Sequence, residues 1–188
     1  LDLRSFSQVA GMGLPGAAYP PFTPAARWPP GRSVFEILRG GDQLFHHPFE
    51  SFDGSVGRFL REASTDPDVV AIKLTLYRTG RDSPFGDTLL QALRNGKEVS
   101  VFVELKARFD EESNIQWTRR ITEAGGHVVY GVVGFKTHAK AALVVRREEG
   151  GVRCYVHVGT GNYNAASARV YTDLSLLSAD PDLGADLN

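Results

Sequence analysis

At 188 residues the chain has room for one domain of ordinary size, and its 42% hydrophobic and 23% charged residues describe a globular chain with a core, not a disordered one. No apolar run nears the roughly 20 residues that span a bilayer, nothing at the start reads as a secretory signal, and Cys154 as the lone cysteine excludes a disulfide framework or a cysteine-rich zinc site and fits a reducing compartment. A formal net charge of −1 supplies no global positive field, so any anion must be handled by a local cluster.

Residues 1–33 carry six of the ten prolines (Pro15, Pro20, Pro21, Pro24, Pro29, Pro30) together with several glycines. Proline lacks a backbone donor and glycine resists regular structure, so this stretch is expected to be an extended connector. Phe6, Tyr19, Phe22 and Trp28 suit a connector that packs against something. From Ser33 onward the pattern turns periodic. Val56, Phe59, Leu60 and Ala63 recur at helical spacing, with Asp53 or Ser55 as the expected cap. Val70, Ile72, Leu74 and Leu76 alternate as a strand, and a short helix near Thr88 to Asn95 stops at Gly96. Val99, Val101, Val103 and Leu105 alternate again; a helix from about Ser113 to Ala124 stops at Gly125, and a third strand covers His127 to Val132. This is β-α-β-α-β, whose crossovers make neighbouring strands parallel. The short connection Gly134 to Thr137 then permits only an antiparallel return through Ala139, Ala141, Leu143 and Val145. A tight turn at Glu148 to Gly151 leads into Val152, Cys154, Val156 and Val158. The fold class is therefore α/β, a mixed parallel and antiparallel sheet flanked by helices, behind an extended Pro/Gly-rich segment.

On this sketch the conspicuous polar residues converge on one sheet edge. Arg78 follows the first strand and Arg108 the second, His138 begins the antiparallel return, and the last strand empties into Gly159-Thr-Gly-Asn-Tyr-Asn164. Open α/β sheets bind ligands beyond the carboxyl ends of their parallel strands. A lone arginine is usually a solvated charge and a lone histidine usually structural, but Lys140 lies two residues from His138, on the same side of a strand. A histidine beside a permanent cation keeps the neutral, nucleophilic imidazole more readily. Neighbouring lysine and arginine would hold phosphoryl oxygens while a ring nitrogen attacks phosphorus. The glycine-rich loop is a turn by its plain reading and a source of backbone donors for phosphate by its functional one.

Other candidates are weaker. His46 and His47 invite a metal, yet adjacent strand residues point oppositely and no third ligand is evident, so packing is the better account. His127 and His157 read as strand residues without chemistry. Glu104, Asp110, Glu111 and Glu112 admit an acid/base or magnesium reading, although most of that run suits the start of the helix that follows.

The segments Ala71-Ile-Lys-Leu-Thr-Leu-Tyr-Arg78, Val103-Glu-Leu-Lys-Ala-Arg-Phe-Asp-Glu111, Lys136-Thr-His-Ala-Lys140 and Gly159-Thr-Gly-Asn-Tyr-Asn164 closely resemble the bacterial polyphosphate kinases, as do Tyr171-Thr-Asp173 and His46-His-Pro-Phe49. The resemblance runs from about Val34 to Asp180. It implies a phospholipase D-like half-domain over 34–188, belonging to a larger polyphosphate kinase, with His138 and Lys140 as the superfamily's His-x-Lys pair. Val144 and Val145 occupy the region of the superfamily's usual aspartate, which argues against a generic phosphodiesterase. The implied reaction is reversible transfer of the terminal phosphate of ATP to polyphosphate with release of ADP, through a phosphohistidine at His138. Arg78 and Arg108 match the arginines of the family's magnesium–phosphate site. A guanidinium has no lone pair for Mg2+, so they are taken to grip the phosphates that the ion bridges. Tyr171 matches a tyrosine at the nucleotide site, and Lys140 and Asn162 match phosphate-contacting positions. The family is several times longer, and its second phospholipase D-like half supplies another histidine and an arginine. The implied partners are thus ATP, ADP, inorganic polyphosphate, the remaining domains, and further copies in a homo-oligomer. No nucleic acid and no membrane span are expected, and the location is cytoplasmic or peripheral to the membrane. Two alternatives stand beside this: a phosphodiesterase or nuclease half that attacks a diester through His138, and a non-catalytic polyanion-binding module.

Overall fold

In the computed structural model, the structure describes residues 6, 8–9, 11–16, 19–77, 84–104, 111–132 and 134–188. Helix α1 (Val34–Arg39) opens on Ser33, whose hydroxyl accepts the Phe35 amide. Strand β1 (Gln43–His47) follows, then a π-helical turn (Asp53–Gly57) that runs into α2 (Arg58–Thr65). Strand β2 (Val69–Leu76), helix α3 (Pro84–Arg94), strand β3 (Glu98–Val103), helix α4 (Glu111–Glu123) and strand β4 (His127–Tyr130) make the two crossover units. Strands β5 (Lys140–Glu148), β6 (Gly151–Gly159) and β7 (Asp173–Ser178) and helix α5 (Pro181–Leu187) complete the chain.

The seven strands form one mixed sheet in the order β1-β7-β6-β5-β2-β3-β4. Strands β2, β3 and β4 are parallel, and the other pairings are antiparallel. The strand period of two sends Ile72, Leu74, Leu76, Val99, Val101 and Val103 to the face covered by α1–α4. There they join Phe35, Phe59, Leu89, Trp117 and Ile121 in one continuous core. The other face meets α5, where Gly184 lies against Cys154.

Two expectations change in the details. The helical run at Val56 is not capped by Asp53 or Ser55, because both already lie inside the first turn. The cap position is Phe52, which has no side-chain acceptor; the Ser51 hydroxyl before it accepts the Gly54 amide at 2.9 Å, while the Asp53 carboxylate turns to Arg61. The chain does return antiparallel after β4, but not beside it. β5 pairs with β2, so residues 131–139 cross the ends of β3 and β2 to reach it. The end of the proline-rich segment, from Ala25 to Trp28, packs on this same domain. Ala25 bridges Glu50, and the Trp28 ring meets Phe45 edge-on at 5.0 Å, buried in the core. The stops at Gly96 and Gly125 hold, each at positive φ.

Helix α3 approaches α4 through Gly86. A Cβ there would lie 2.2 Å from Cζ3 of Trp117, whose ring also meets the Arg120 guanidinium at 4.2 Å. In an exposed helix glycine-to-alanine gains about 1 kcal/mol. Here overpacking reverses the sign, and Gly86→Ala is expected to lose roughly 1–3 kcal/mol of stability in equilibrium urea unfolding. A stabilised variant would show that α3 and α4 do not meet in this way.

Candidate functional site

Every strand that was expected to feed the site ends or begins at one edge. Tyr77 follows β2, Glu104 follows β3, Lys140 opens β5 opposite Gly159 at the end of β6, and Asp173 opens β7 opposite His47 at the end of β1. Arg78 and Arg108 lie outside the described residues. His138, Lys140, Asn162 and Tyr171 are all described, and the chain brings the first two together through a residue that the sequence reading passed over.

That residue is Tyr77. Its buried ring receives the His138 imidazole edge-on at 5.1 Å, and the Lys140 ammonium stands 5.1 Å from the ring centre. Lys136 approaches the same ring at 5.7 Å. The pair thus converges on one aromatic surface. His138 is exposed, whereas Lys140 is only 4% exposed, and its ammonium donates to the His138 carbonyl. A cation so buried needs compensation, which the carbonyl and the π-face provide.

The loop carrying His138 is stitched to the strands it crosses. The Gly131 amide donates to the Val103 carbonyl at 3.1 Å. The Thr137 amide donates to the Glu104 carboxylate at 2.9 Å. The Thr75 hydroxyl donates to the Ala139 carbonyl at 2.8 Å and accepts the Ala141 amide at 3.0 Å. On α4, the buried Asn114 side chain donates to the carbonyls of Tyr77 and Glu104 at 2.9 and 3.0 Å, fixing the ends of β2 and β3 relative to one another. Among these, only Glu104 had drawn attention in the sequence, and as an acid, base or metal ligand.

Beneath the glycine-rich loop lies a buried floor. His157 places Nδ1 2.6 Å from the Tyr163 hydroxyl and Nε2 3.0 Å from the Ser175 hydroxyl, so one ring nitrogen donates and the other accepts. His47, Phe52, Phe85 and Tyr163 continue this floor through edge-to-face contacts of 5.0 to 5.7 Å. His47 therefore packs, as expected, and its Nδ1 contacts the Glu50 carbonyl at 2.8 Å. The hydroxyl of Thr160 donates to Asp173 at 2.7 Å, tying the loop to β7. The Asn162 Oδ1 is buried with no hydrogen-bond partner among the described residues, whereas Tyr171 is 65% exposed. His157 was given no chemistry from sequence, and the structure makes it a brace of the loop that holds Asn162.

As for a metal, among the described residues no three His, Cys, Asp or Glu side chains are grouped to hold one. The described groups of this edge include the His138 imidazole and the Lys136 and Lys140 ammonium groups, and the carboxylates of Glu104 and Asp173 already accept the Thr137 amide and the Thr160 hydroxyl. Magnesium takes an octahedron of oxygens, and this donor set does not fit it.

Comparison with known proteins gives the following. The family described as polyphosphate kinase C-terminal domain 1 matches residues 33–188. The polyphosphate kinase of Mycolicibacterium gilvum is 52% identical over 192 residues, covering 100% of this chain and 26% of that protein. That of Mycobacterium leprae is 53% identical over 193 residues, with the same coverage of each. The crystal structure of polyphosphate kinase from Porphyromonas gingivalis matches with a TM-score of 0.72 at 41% identity, over 82% of this chain and 26% of that one. Nuc from Salmonella typhimurium, a phospholipase D family member, matches at 16% identity with a TM-score of 0.58, over 78% of this chain and 88% of that one, a likeness of fold. The chain thus spans about a quarter of the length of the curated relatives it matches.

The buried floor has a measurable consequence. Burial lowers His157 to about 3, and nearby His47 adds to the shift. An unfolded histidine titrates near 6.5. Between those values the unfolded chain holds a proton that the native one refuses, so the contribution is complete above pH 6.5 and is lost as pH falls toward 3. From pH 7 to pH 4.5 this group is expected to remove roughly 2–3 kcal/mol, read as a drop in the urea midpoint. His157→Gln should flatten that drop; an equally steep profile in the variant would assign the titration elsewhere.

Proposed function

The chain belongs to the polyphosphate kinase family, as its C-terminal domain 1, and from there we propose that it carries the phosphohistidine of a reversible ATP–polyphosphate phosphotransferase. The observation that supports this most directly is the gathering of His138 and Lys140 on the Tyr77 ring, at the edge where the parallel strands end and the glycine-rich loop opens. An exposed imidazole held beside a buried, permanently placed cation is the arrangement that attack on a phosphoryl group needs.

In the proposed reaction a ring nitrogen of His138 donates its lone pair to the γ-phosphorus of ATP. The N–P bond forms as the bond to the bridging oxygen breaks, and ADP leaves with that electron pair. A terminal oxygen of polyphosphate then attacks the same phosphorus, the N–P bond breaks, and the imidazole is restored. Phosphoryl transfer of this kind is governed by position and by charge around the phosphoryl oxygens. Lys140 is assigned to that charge, with Arg78 and Arg108 gripping the phosphates from the segments that leave β2 and β3. By the family resemblance Asn162 is assigned to a phosphate contact and Tyr171 to the nucleotide.

The nucleotide, the polyphosphate and any assembly belong to the whole protein, of which this chain is about a quarter. By itself the chain is expected not to sustain polyphosphate synthesis, because an open edge leaves its cations screened by water and salt. Among the described residues no helix is long and apolar enough to cross a membrane.

The deciding experiment labels the full-length protein with γ-phosphate-labelled ATP. Acid-labile label is expected at His138 and is expected to vanish in His138→Ala; undiminished label in that variant rejects the assignment. Hydrolysis of a phosphodiester, with no phosphoryl transfer from ATP, would favour the nuclease reading instead. In the same protein Arg78→Ala or Arg108→Ala should remove a charge-assisted contact worth about 1.5–3 kcal/mol, a loss of roughly ten- to a hundredfold in activity. Lysine at either position should rescue only in part, since an ammonium cannot make the planar two-pronged contact. Full activity in both alanine variants would remove the arginines from the site.

A further inference from the structure

The chain holds the backbone on both sides of His138 with side chains from two other strands. On the amino side the Thr137 amide is bonded to the Glu104 carboxylate at 2.9 Å. On the carboxyl side the Ala139 carbonyl is bonded to the Thr75 hydroxyl at 2.8 Å, and that hydroxyl also accepts the Ala141 amide. Thr75 lies in β2 and Glu104 immediately follows β3, so the two holds come from neighbouring parallel strands. We propose that Glu104 and Thr75 form a two-point clamp that positions His138 for phosphoryl transfer, both acting through the backbone and neither touching the phosphate.

Four features favour a positioning role over chemistry at Glu104. Its carboxylate is 7% exposed and directed at a main-chain donor, which suits a fixed acceptor better than a group that must exchange protons with solvent. Its own backbone is fixed twice over, since its amide continues the ladder to the Leu76 carbonyl at 3.0 Å and its carbonyl accepts from Asn114. Asn114 is 1% exposed and grips the Tyr77 carbonyl with the same amide group, so the Tyr77 ring beneath His138 and the Glu104 anchor move as one unit. Finally, the loop needs such an anchor. It leaves β4, passes β3 and β2, and must set an exposed histidine in one place although Val132 and Phe135 before it face solvent. In-line attack requires the nitrogen about 3–3.5 Å from phosphorus, and a misplacement of about 1 Å costs on the order of a hundredfold.

This proposal rests on the phosphohistidine reading, and its test separates the two. In the full-length protein, the single-turnover rate of phosphohistidine formation from labelled ATP is measured for Thr75→Val, Thr75→Ser, Glu104→Leu and Glu104→Gln. Thr75→Val is nearly isosteric and Glu104→Gln keeps an acceptor for the Thr137 amide, so folding is retained in at least these two. The expected result is a fall of about 10- to 100-fold in labelling rate for the valine and leucine variants, with the concentration of ATP at half-maximal rate unchanged. Serine and glutamine should restore most of it. Hydrogen exchange at the Thr137 amide supplies a readout independent of activity. It should be slow in the parent protein and in Glu104→Gln, and fast in Glu104→Leu. Labelling at the parent rate in folded Thr75→Val and Glu104→Leu overturns the clamp, as does a Glu104→Gln variant no better than leucine. A parent Thr137 amide that exchanges at the rate of an unprotected amide overturns it too, even if Glu104→Leu does not fold. A parent protein that takes no label at His138 removes the phosphohistidine reading, and the amide exchange still decides whether the clamp exists.

Discussion

Strand β4 lies at the sheet margin while β5 lies beyond β2, so the chain between Tyr130 and Lys140 must travel over the ends of two strands. With strands about 4.8 Å apart, that journey is roughly 14 Å. Nine residues can reach about 30 Å when extended, so length alone does not place any of them. Placement comes from bonds made in passing: Val103 and Glu104 from the second parallel strand, then Thr75 from the first. His138 sits between the last two. A crossing loop is a poor place for a precise group unless the strands beneath supply the precision, and here their exposed ends do so. Backbone donors and acceptors beyond a parallel ladder need partners in any case, and this edge meets that demand with the groups that fix the histidine.

The opposite edge of the sheet answers the same demand differently. Arg146 reaches Asp66, Asp68 and Glu148 at 3.0 to 3.1 Å, and Arg39 closes on Glu148 from the other side. Charge there is matched within the molecule, cation to carboxylate, and this network ties the β2 entry to the β5–β6 hairpin. At the functional edge the described carboxylates are turned inward to a backbone amide or a hydroxyl, at Glu104 and Asp173, and the lysines gather on an aromatic face. One edge is neutralised by its own acids; the other keeps its acids occupied elsewhere. Below it, the His157–Tyr163–Ser175 brace keeps a titratable ring neutral, so no further charge enters under the glycine-rich loop.

Much of this was legible in the sequence because period and punctuation are local. Strands β2 and β3 follow their alternation, whereas β5 and β6 turn Ala142, Val144 and Tyr155 to the core in place of the alternate residues expected there; Gly96 and Gly125 end helices through a conformation that other residues resist. What escaped was whatever lacked a period or depended on distant partners. Strand β1 reads Gln-Leu-Phe-His-His and β7 reads Asp-Leu-Ser-Leu-Leu-Ser, neither cleanly alternating, and each earns its place by pairing with the other. The position of β5 escaped for a related reason. A short link dictates direction but not neighbour, and β5 is placed by packing Ala142 and Val144 into the core beside Ile72. At the site, His138 and Lys140 were visible as a spaced pair, whereas Tyr77 and Asn114 were not. Tyr77 stood unremarked inside the Ala71–Arg78 segment and Asn114 outside every such segment, and their roles exist only once β2, β3 and α4 have come together. Glu104 was visible as a charge that admitted more than one reading, because sequence does not show where a carboxylate points.

The same geometry explains a division between the two residues of the pair. Lys140 is buried and His138 exposed, although only Ala139 separates them. For the proposed reaction that asymmetry is functional. The imidazole must receive a phosphoryl group from one large polyanion and yield it to another, so it has to stand in the open. Its cation has the contrary requirement. An ammonium in water is screened and mobile, whereas one held against a ring and a carbonyl exerts its field from a fixed place in a less polar medium. Burial would be prohibitive for a lone ammonium, and the Tyr77 face and the His138 carbonyl help to make it tolerable. That second contact also binds the cation to the backbone of the nucleophile itself. Any displacement of the loop at His138 therefore moves the carbonyl that Lys140 holds, so histidine and charge shift together and keep their mutual geometry.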